Sequence, residues 1–238
     1  MDTEHAQSIR KLQWDESYLQ RQNHVFYPHE EVIRFFSKYF RKRIGIHQFQ
    51  DVRPGRERRI RLLDLGCGIG RHLVYGHEMG CEPYGVDLSD VAVNTARTWA
   101  TQIGIPEADN RIVQSDARTL PFDDGFFDCA VSHGVLDSMP FQIARDVIKE
   151  LSRVMAENSL VYIDLISGDD SRHAREFHGE EIVQTEHERD TVQTYFNREA
   201  IGRLIDGYFV PAECYLIRRE EVDKGTYASR YHLALKKI

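Results

Sequence analysis

The chain has no apolar run approaching the roughly 18 residues that a membrane span needs, and its first residues, MDTEHAQSIRK, lack the apolar core of a secretory signal. A soluble, cytoplasmic protein is expected. Cysteine is scarce and scattered. Cys67, Cys81, Cys129 and Cys214 form no C-x-x-C pair, which argues against a zinc knuckle and against a disulfide framework. Positive charge is not in excess either: 31 Lys and Arg stand against 38 acidic residues, a net charge of -7. The overall field therefore repels phosphate backbones and anionic membranes, so nucleic acid is a disfavoured partner and no membrane partner is expected. With only seven prolines and 41% hydrophobic residues in 238, the chain suits neither collagen, a coiled coil nor wholesale disorder. Its length fits one domain with a sizeable core and at most a small appended element.

From Ile60 onward strand-like and helix-like stretches alternate, the pattern of a doubly wound, mostly parallel α/β sheet. Residues 60–65 form an apolar strand running into glycines, and 71–79 a helix stopped by Gly80. Residues 82–86 form a second strand closed by Asp87, after which Ser89 can cap a helix to about Gln102. Further strands fall at 111–114, 127–132 and 160–166, with Ile143, Val147, Ile148, Leu151 and Val154 marking an amphipathic crossover helix. Asn197 caps a last helix. The runs 210–218 and 227–235 then lie close enough to pair antiparallel at one edge of a seven-stranded sheet. Residues 1–43 form a helical cap, 44–59 a linker, and 60–238 the main domain. Residues 167–190, with eight acidic residues, three arginines and His173, His178 and His187, make a polar insert that is either a lid or a surface excursion.

The strongest signal is LLDLGCGIGRH, which places Asp64, Gly66, Cys67, Gly68 and Gly70 at a strand-to-helix turn. Glycines there let the backbone turn sharply and let a ligand approach the amides. A nicotinamide or flavin site reads G-x-G-x-x-G over a pyrophosphate, whereas this loop reads G-x-G-x-G followed by Arg71. Asp64 is expected near the bound ligand, where a carboxylate repels a pyrophosphate and attracts an ammonium or sulfonium. Asp87 can accept two ribose hydroxyls, a role shared by both cofactor classes.

These residues resemble the class I S-adenosylmethionine-dependent methyltransferases over roughly residues 60–166. The resemblance implies S-adenosylmethionine as cofactor, with S-adenosylhomocysteine as product. It implies Asp64, Gly66, Cys67, Gly68 and Gly70 in the loop under the methionine moiety. Asp87 and Leu88 would hold the ribose, Asp116 and Ala117 the base, and Ser132, His133 and Gly134 would face the methyl donor. Asn158 stands where that family often has glycine, and asparagine tolerates the left-handed conformation. The segment WDESYLQRQNHVFYP is similar to one that closes over the cofactor in thiopurine-type methyltransferases. Trp14 and Tyr18 would then cover the sulfonium through their aromatic faces, or else they simply anchor the helix on the sheet.

Methyl transfer is an in-line displacement, so alignment and exclusion of water do much of the work. A hydroxyl acceptor also benefits from a base. His133, with an ordinary pKa of about 6.5, is the first candidate, its other reading being that it only shapes the pocket; Asp137 is read as able to orient or replace it, or as merely starting the next helix. His24, Tyr27, His29 and Tyr195 could border the acceptor. The five-residue spacings of His72 with His77 and of His173 with His178 miss the i, i+4 pairing of a helical metal site, so no metal is expected. Residues 41–61 hold eight basic residues against two acidic. The stretch RPGRERRIR has no aromatics for base stacking; it reads as a solvated linker face or as a contact for an anionic substrate. The function expected is methyl transfer to a small-molecule or glycan-precursor acceptor, at oxygen in preference to nitrogen. The alternatives are a nicotinamide-dependent oxidoreductase and a non-catalytic S-adenosylmethionine-binding protein.

Overall fold

The computed structural model describes residues 3–52, 58–173, 175–184 and 191–238, with side chains from residue 10 onward. Two N-terminal helices, α1 (Thr3–Leu19) and α2 (Glu30–Tyr39), precede a hairpin of β1 (Arg41–Gly45) and β2 (Gln48–Asp51). The main domain follows as β3 (Arg61–Leu65), α3 (Arg71–Glu78), β4 (Glu82–Asp87), α4 (Asp90–Gln102), α5 (Ala108–Arg111) and β5 (Ile112–Gln114). Then come β6 (Phe127–Ser132), α6 (Phe141–Val154), β7 (Met155–Ile166), β8 (Gly179–Ile182), β9 (Val192–Tyr195), α7 (Arg198–Ile205), β10 (Phe209–Glu221) and β11 (Thr226–Lys237).

Seven strands form one sheet in the order β10-β11-β7-β6-β3-β4-β5. Strands β3 to β7 are parallel, β11 runs antiparallel to β7, and β10 pairs antiparallel to β11, so the antiparallel C-terminal edge is two strands wide. The central strand reads RLLDL, without polar alternation, because both faces of a parallel sheet are covered. Successive side chains still point to opposite faces. Leu63 and Leu65 pack with α6 and α7, together with Val161, Ile163, Leu165 and Leu233. Leu62 packs on the other face with Phe35 and Phe36 of α2, together with Val131, Tyr162 and Ala234. By the same parity Asp64 and Asp164 belong to the α2 face, as do His232 and Arg230.

Helix α2 is amphipathic, with Val32, Phe35 and Phe36 buried and Glu30, Arg34 and Lys38 on its polar side. Its first turn is capped by His29, whose Nδ1 accepts the Glu31 amide at 3.2 Å. Helix α1 is tied to α4 by Lys11 with Asp90 (2.6 Å) and by Ser89, whose hydroxyl donates to Asp15 (2.5 Å).

The structure departs from the sequence reading in particular places. The stretch read as a linker opens as the β1–β2 hairpin, in which Arg41 and Arg43 lie over the Phe49 ring. Residues 53–57 of that stretch lie outside the described residues. Strand β7 begins at Met155, directly after α6, and Asn158 within it takes a positive φ of 60°. The polar insert contains β8, paired with β9 as a separate two-stranded sheet; residue 174 and residues 185–190 lie outside the described residues.

Because Phe36 is 1% exposed at the centre of the α2 contact, Phe36→Ala is expected to lower stability by about 3–5 kcal/mol. Urea unfolding of the two proteins measures it.

Candidate active site

The strand order reverses between β3 and β6: the chain moves from β3 outward through β4 and β5, then returns to the other side. Loops leaving β3 and β6 therefore diverge, and the crevice beyond their carboxyl ends is where open α/β sheets bind ligands. A cavity of about 360 Å³ lies there.

One wall is the glycine loop. Gly66 and Gly68 line the cavity at φ values of 69° and 52°, a region that disfavours any side chain. A Cβ at Gly68 would come within 2.7 Å of the Tyr18 hydroxyl, so α1 lies directly over the loop. The loop is tied to the next strand by Asp87, whose Oδ2 accepts the Gly68 amide (2.8 Å) and whose Oδ1 accepts the Ser89 amide (2.9 Å). Burial pushes the Asp87 carboxyl up to about 6, against the lowering effect of those amides. Each oxygen keeps a lone pair for a further donor. Leu88, Asp116, Ala117, Cys67, Trp14 and Tyr18 also line the cavity. Asp116 is held by Arg118 at 2.7 Å; burial would raise its carboxyl, but the hydrogen bonds from Arg118 outweigh it and hold it below the usual carboxylate range.

Three residues expected at the ligand stand behind this wall. Ser132 is buried with no hydrogen-bond partner on its hydroxyl, and Gly70 packs against Ala96 and Leu73. Asp64 does not line the cavity. Parity along β3 turns its side chain toward α3, where Oδ1 lies 3.6 Å from His72 Nδ1 and Oδ2 has no hydrogen-bond partner. Its charge acts from there as a field, raising the Tyr18 hydroxyl and the Asp87 carboxyl after the larger effect of burial.

The opposite wall is built around His133, with Gly134 beside it. Arg71 Nη2 lies 3.0 Å from His133 Nδ1. A guanidinium can only donate, so Nδ1 is the acceptor and the ring proton sits on Nε2, which faces Asp164 Oδ2 at 3.4 Å. Burial, followed by the fields of His29 and Arg71, drives the His133 pKa far below the ordinary range. The imidazole is therefore neutral. The carboxylate beside it is Asp164, which the sequence reading passed over; its Oδ1 accepts the Gly134 amide at 2.7 Å. Asp137, the expected partner, is held elsewhere: its Oδ2 accepts from the Ile166 amide (2.8 Å) and from Arg230 (2.7 Å). Arg230 also donates to Asp164 (2.8 Å), joining the two acids. Burial and the neighbouring Asp137 hold Asp164 above the usual carboxylate range despite Arg230.

The His29 ring lies against His133 with centroids 4.1 Å apart at a tilt of 41° and stacks on His232 at 5.6 Å, and its amide donates to His72 Nε2 (3.3 Å). Burial holds both His29 and His232 down to about 4. His24 packs near Tyr18 and Phe26, Tyr27 is 80% exposed, and Tyr195 of β9 is buried against His173 and Phe177 of the insert; none of the three lines the cavity. Gln193 of β9 does, while its side chain donates to the Asp137 carbonyl (2.7 Å), so the strand that pairs with β8 of the insert forms part of the wall. Among the described residues no cluster of three His, Cys, Asp or Glu is placed to hold a metal ion.

A protein-family model described as a methyltransferase domain matches residues 63–163. Over those residues the chain is similar to methyltransferase domains, and its fold is the one that class I S-adenosylmethionine-dependent methyltransferases share. It is 32% identical over 104 residues to an uncharacterized methyltransferase of Synechocystis sp., covering 44% of each chain. The chain spans less than half the length of the curated relatives it matches. Among solved structures, a SAM-dependent methyltransferase of Methanosarcina mazei aligns with a TM-score of 0.61 at 20% identity, over 76% of this chain and 93% of that one. A Burkholderia thailandensis 1,6-didemethyltoxoflavin-N1-methyltransferase, solved with its substrate and S-adenosylhomocysteine, aligns at 0.56 with 17% identity, over 76% and 72%. The cavity fits S-adenosylmethionine. The glycines leave the loop backbone open, Asp87 has free lone pairs for a pair of hydroxyls, and Trp14 and Tyr18 place aromatic rings on the same cavity.

Two expectations follow. S-adenosylhomocysteine affinity should fall as pH drops through about 6, where Asp87 takes up a proton; Asp87→Ala should weaken binding by about 1–3 kcal/mol and flatten that dependence, as calorimetry across pH 5–8 would register. His29 and His232 should titrate near 4 by NMR of the ring nitrogens. Their folded pKa values lie below the unfolded value of about 6.5, so the unfolded chain takes up protons first and stability declines as pH falls from 6.5 toward 4.

Proposed function

We propose that the protein is a methyltransferase that moves the methyl group of S-adenosylmethionine to a small-molecule or glycan-precursor acceptor, at oxygen in preference to nitrogen. The observation that carries this reading is a neutral imidazole, His133, lining the same cavity as the glycine loop and Asp87. The Burkholderia enzyme's small-molecule substrate supports the size class of the acceptor.

When bound, S-adenosylmethionine supplies a methyl group on a positively charged sulfur. The chain contributes position and dryness. The open backbone of Gly66 and Gly68 would seat the methionine part, Asp87 with Leu88 would hold the ribose, and Asp116 with Ala117 the base. Trp14 and Tyr18, which line the same cavity, would offer aromatic rings to the positive charge. On the acceptor side His133 would receive the hydroxyl proton on Nδ1 as the oxygen–carbon bond forms and the carbon–sulfur bond breaks to leave a neutral thioether, with Asp164 beside Nε2 to stabilise the imidazolium. Both require Arg71 to release Nδ1.

Mass spectrometry of the ligand released on denaturing the purified protein tests the cofactor, with S-adenosylmethionine or S-adenosylhomocysteine expected. A nicotinamide dinucleotide in its place would overturn the reading. With an acceptor in hand, His133→Ala should lower kcat by about 10²–10⁴-fold while leaving S-adenosylhomocysteine affinity nearly unchanged. Full activity in that variant would retire His133 as the base.

A further inference from the structure

The charges around the acceptor wall are unevenly matched. Arg230 faces two carboxylates, those of Asp137 and Asp164. His72 backs onto Asp64, and Asp116 is engaged by Arg118. Arg71 differs from all of these. It stands half-buried in the first turn of α3 and lines the cavity, and among the described residues its one hydrogen bond goes to the uncharged Nδ1 of His133. A guanidinium has five N–H donors in a fixed fork that matches a carboxylate in two places at once. Here most of that capacity meets no anion of the protein, although the group is partly removed from water. Its field reaches the surrounding rings, contributing after burial to the lowering of both His29 and His133.

The same contact bears on the base. In the arrangement observed, the Nδ1 lone pair of His133 is occupied by Arg71 and Nε2 carries the proton toward Asp164. The ring has no free lone pair until Arg71 turns away.

We propose that Arg71 is the receptor for an anionic oxygen group of the methyl acceptor, a carboxylate in the first instance, and that engaging this group draws Arg71 off His133 Nδ1 and frees that nitrogen. The substrate class is thus an acid that also carries the accepting hydroxyl. The bound anion would place the hydroxyl beside the nitrogen it has just released, so that base and acceptor become available together. This proposal rests on the methyltransferase reading above. The step it adds makes and breaks only hydrogen bonds.

The test uses the full-length protein with ring-labelled histidines. Benzoate and succinate are titrated as carboxylate probes, benzamide as an uncharged counterpart, and S-adenosylhomocysteine and 5′-methylthioadenosine report the donor site. In the wild type, the carboxylates should saturate and shift the His133 Nδ1 signal, and benzamide should not. Arg71→Met should weaken carboxylate binding about tenfold or more, with Arg71→Lys intermediate because it keeps the charge but loses the fork. Both variants should bind S-adenosylhomocysteine as the wild type does, which also shows that they are folded. If Arg71→Met instead weakens S-adenosylhomocysteine but not 5′-methylthioadenosine, which lacks the amino-acid carboxylate, the anion held is the donor's own and the proposal is overturned. Carboxylates that leave the His133 signal unmoved, or that act equally on Arg71→Met, also overturn it. Failure of the wild type to bind S-adenosylhomocysteine would instead overturn the methyltransferase reading on which this rests.

Discussion

The site depends on one constraint, the reversal of strand order between β3 and β6. Neighbouring parallel strands whose connections leave to opposite sides cannot have their following loops packed against each other, so a crevice opens above them. The candidate site is hung on that opening. The glycine loop follows β3, Asp87 ends β4, His133 follows β6, and Asp164 lies near the end of β7. Two carboxylates hold the loops to the sheet: Asp87 takes the amide of Gly68, and Asp164 that of Gly134. Both are buried and both are pushed above the usual carboxylate range. Polar groups kept in such surroundings are costly unless partnered, and here the partners are backbone amides of the loops that shape the cavity.

The two walls differ in electrostatic character. Around the glycine loop Asp64, Asp87 and Asp116 make the surroundings negative, which suits a ligand whose reactive centre is a cation. Around His133 two arginines, Arg71 and Arg230, stand beside the carboxylates of Asp137 and Asp164, and burial keeps the rings of His29, His133 and His232 uncharged. The negative groups on the glycine-loop side favour binding of a cationic ligand there; they act on binding and not on the transfer itself, in which the sulfur's charge is lost.

Much of the donor wall was legible in the chain because its residues are contiguous. DLGCGIG is a single turn with local consequences: positive φ at Gly66 and Gly68 requires glycine there, whatever packs around it. Asp87 closes a strand that the apolar pattern marks, so its position at the sheet's carboxyl edge follows from periodicity, whereas Asp116 was implied by the family resemblance. The placement of Asp64 turns on a feature just as local: side chains alternate along a strand, and the residue two before the first glycine turns to the α2 face, behind the residues that line the cavity. The field expected of it survives, transmitted from behind the wall.

The amino-acid sequence by itself determined the element types, the mostly parallel sheet and the glycine turn, because these rest on periodicity and backbone conformation within short stretches. Only the tertiary structure decided which charged groups meet. Asp164 is an acid inside an apolar strand, Arg230 lies in the last strand, and His29 caps a helix far earlier in the chain; nothing local distinguishes them as neighbours. They converge because strand alternation, repeated across β3, β7 and β11, turns them to one face, and because Val32, Phe35 and Phe36 dock α2 on that face with its capping histidine at the edge of the crevice.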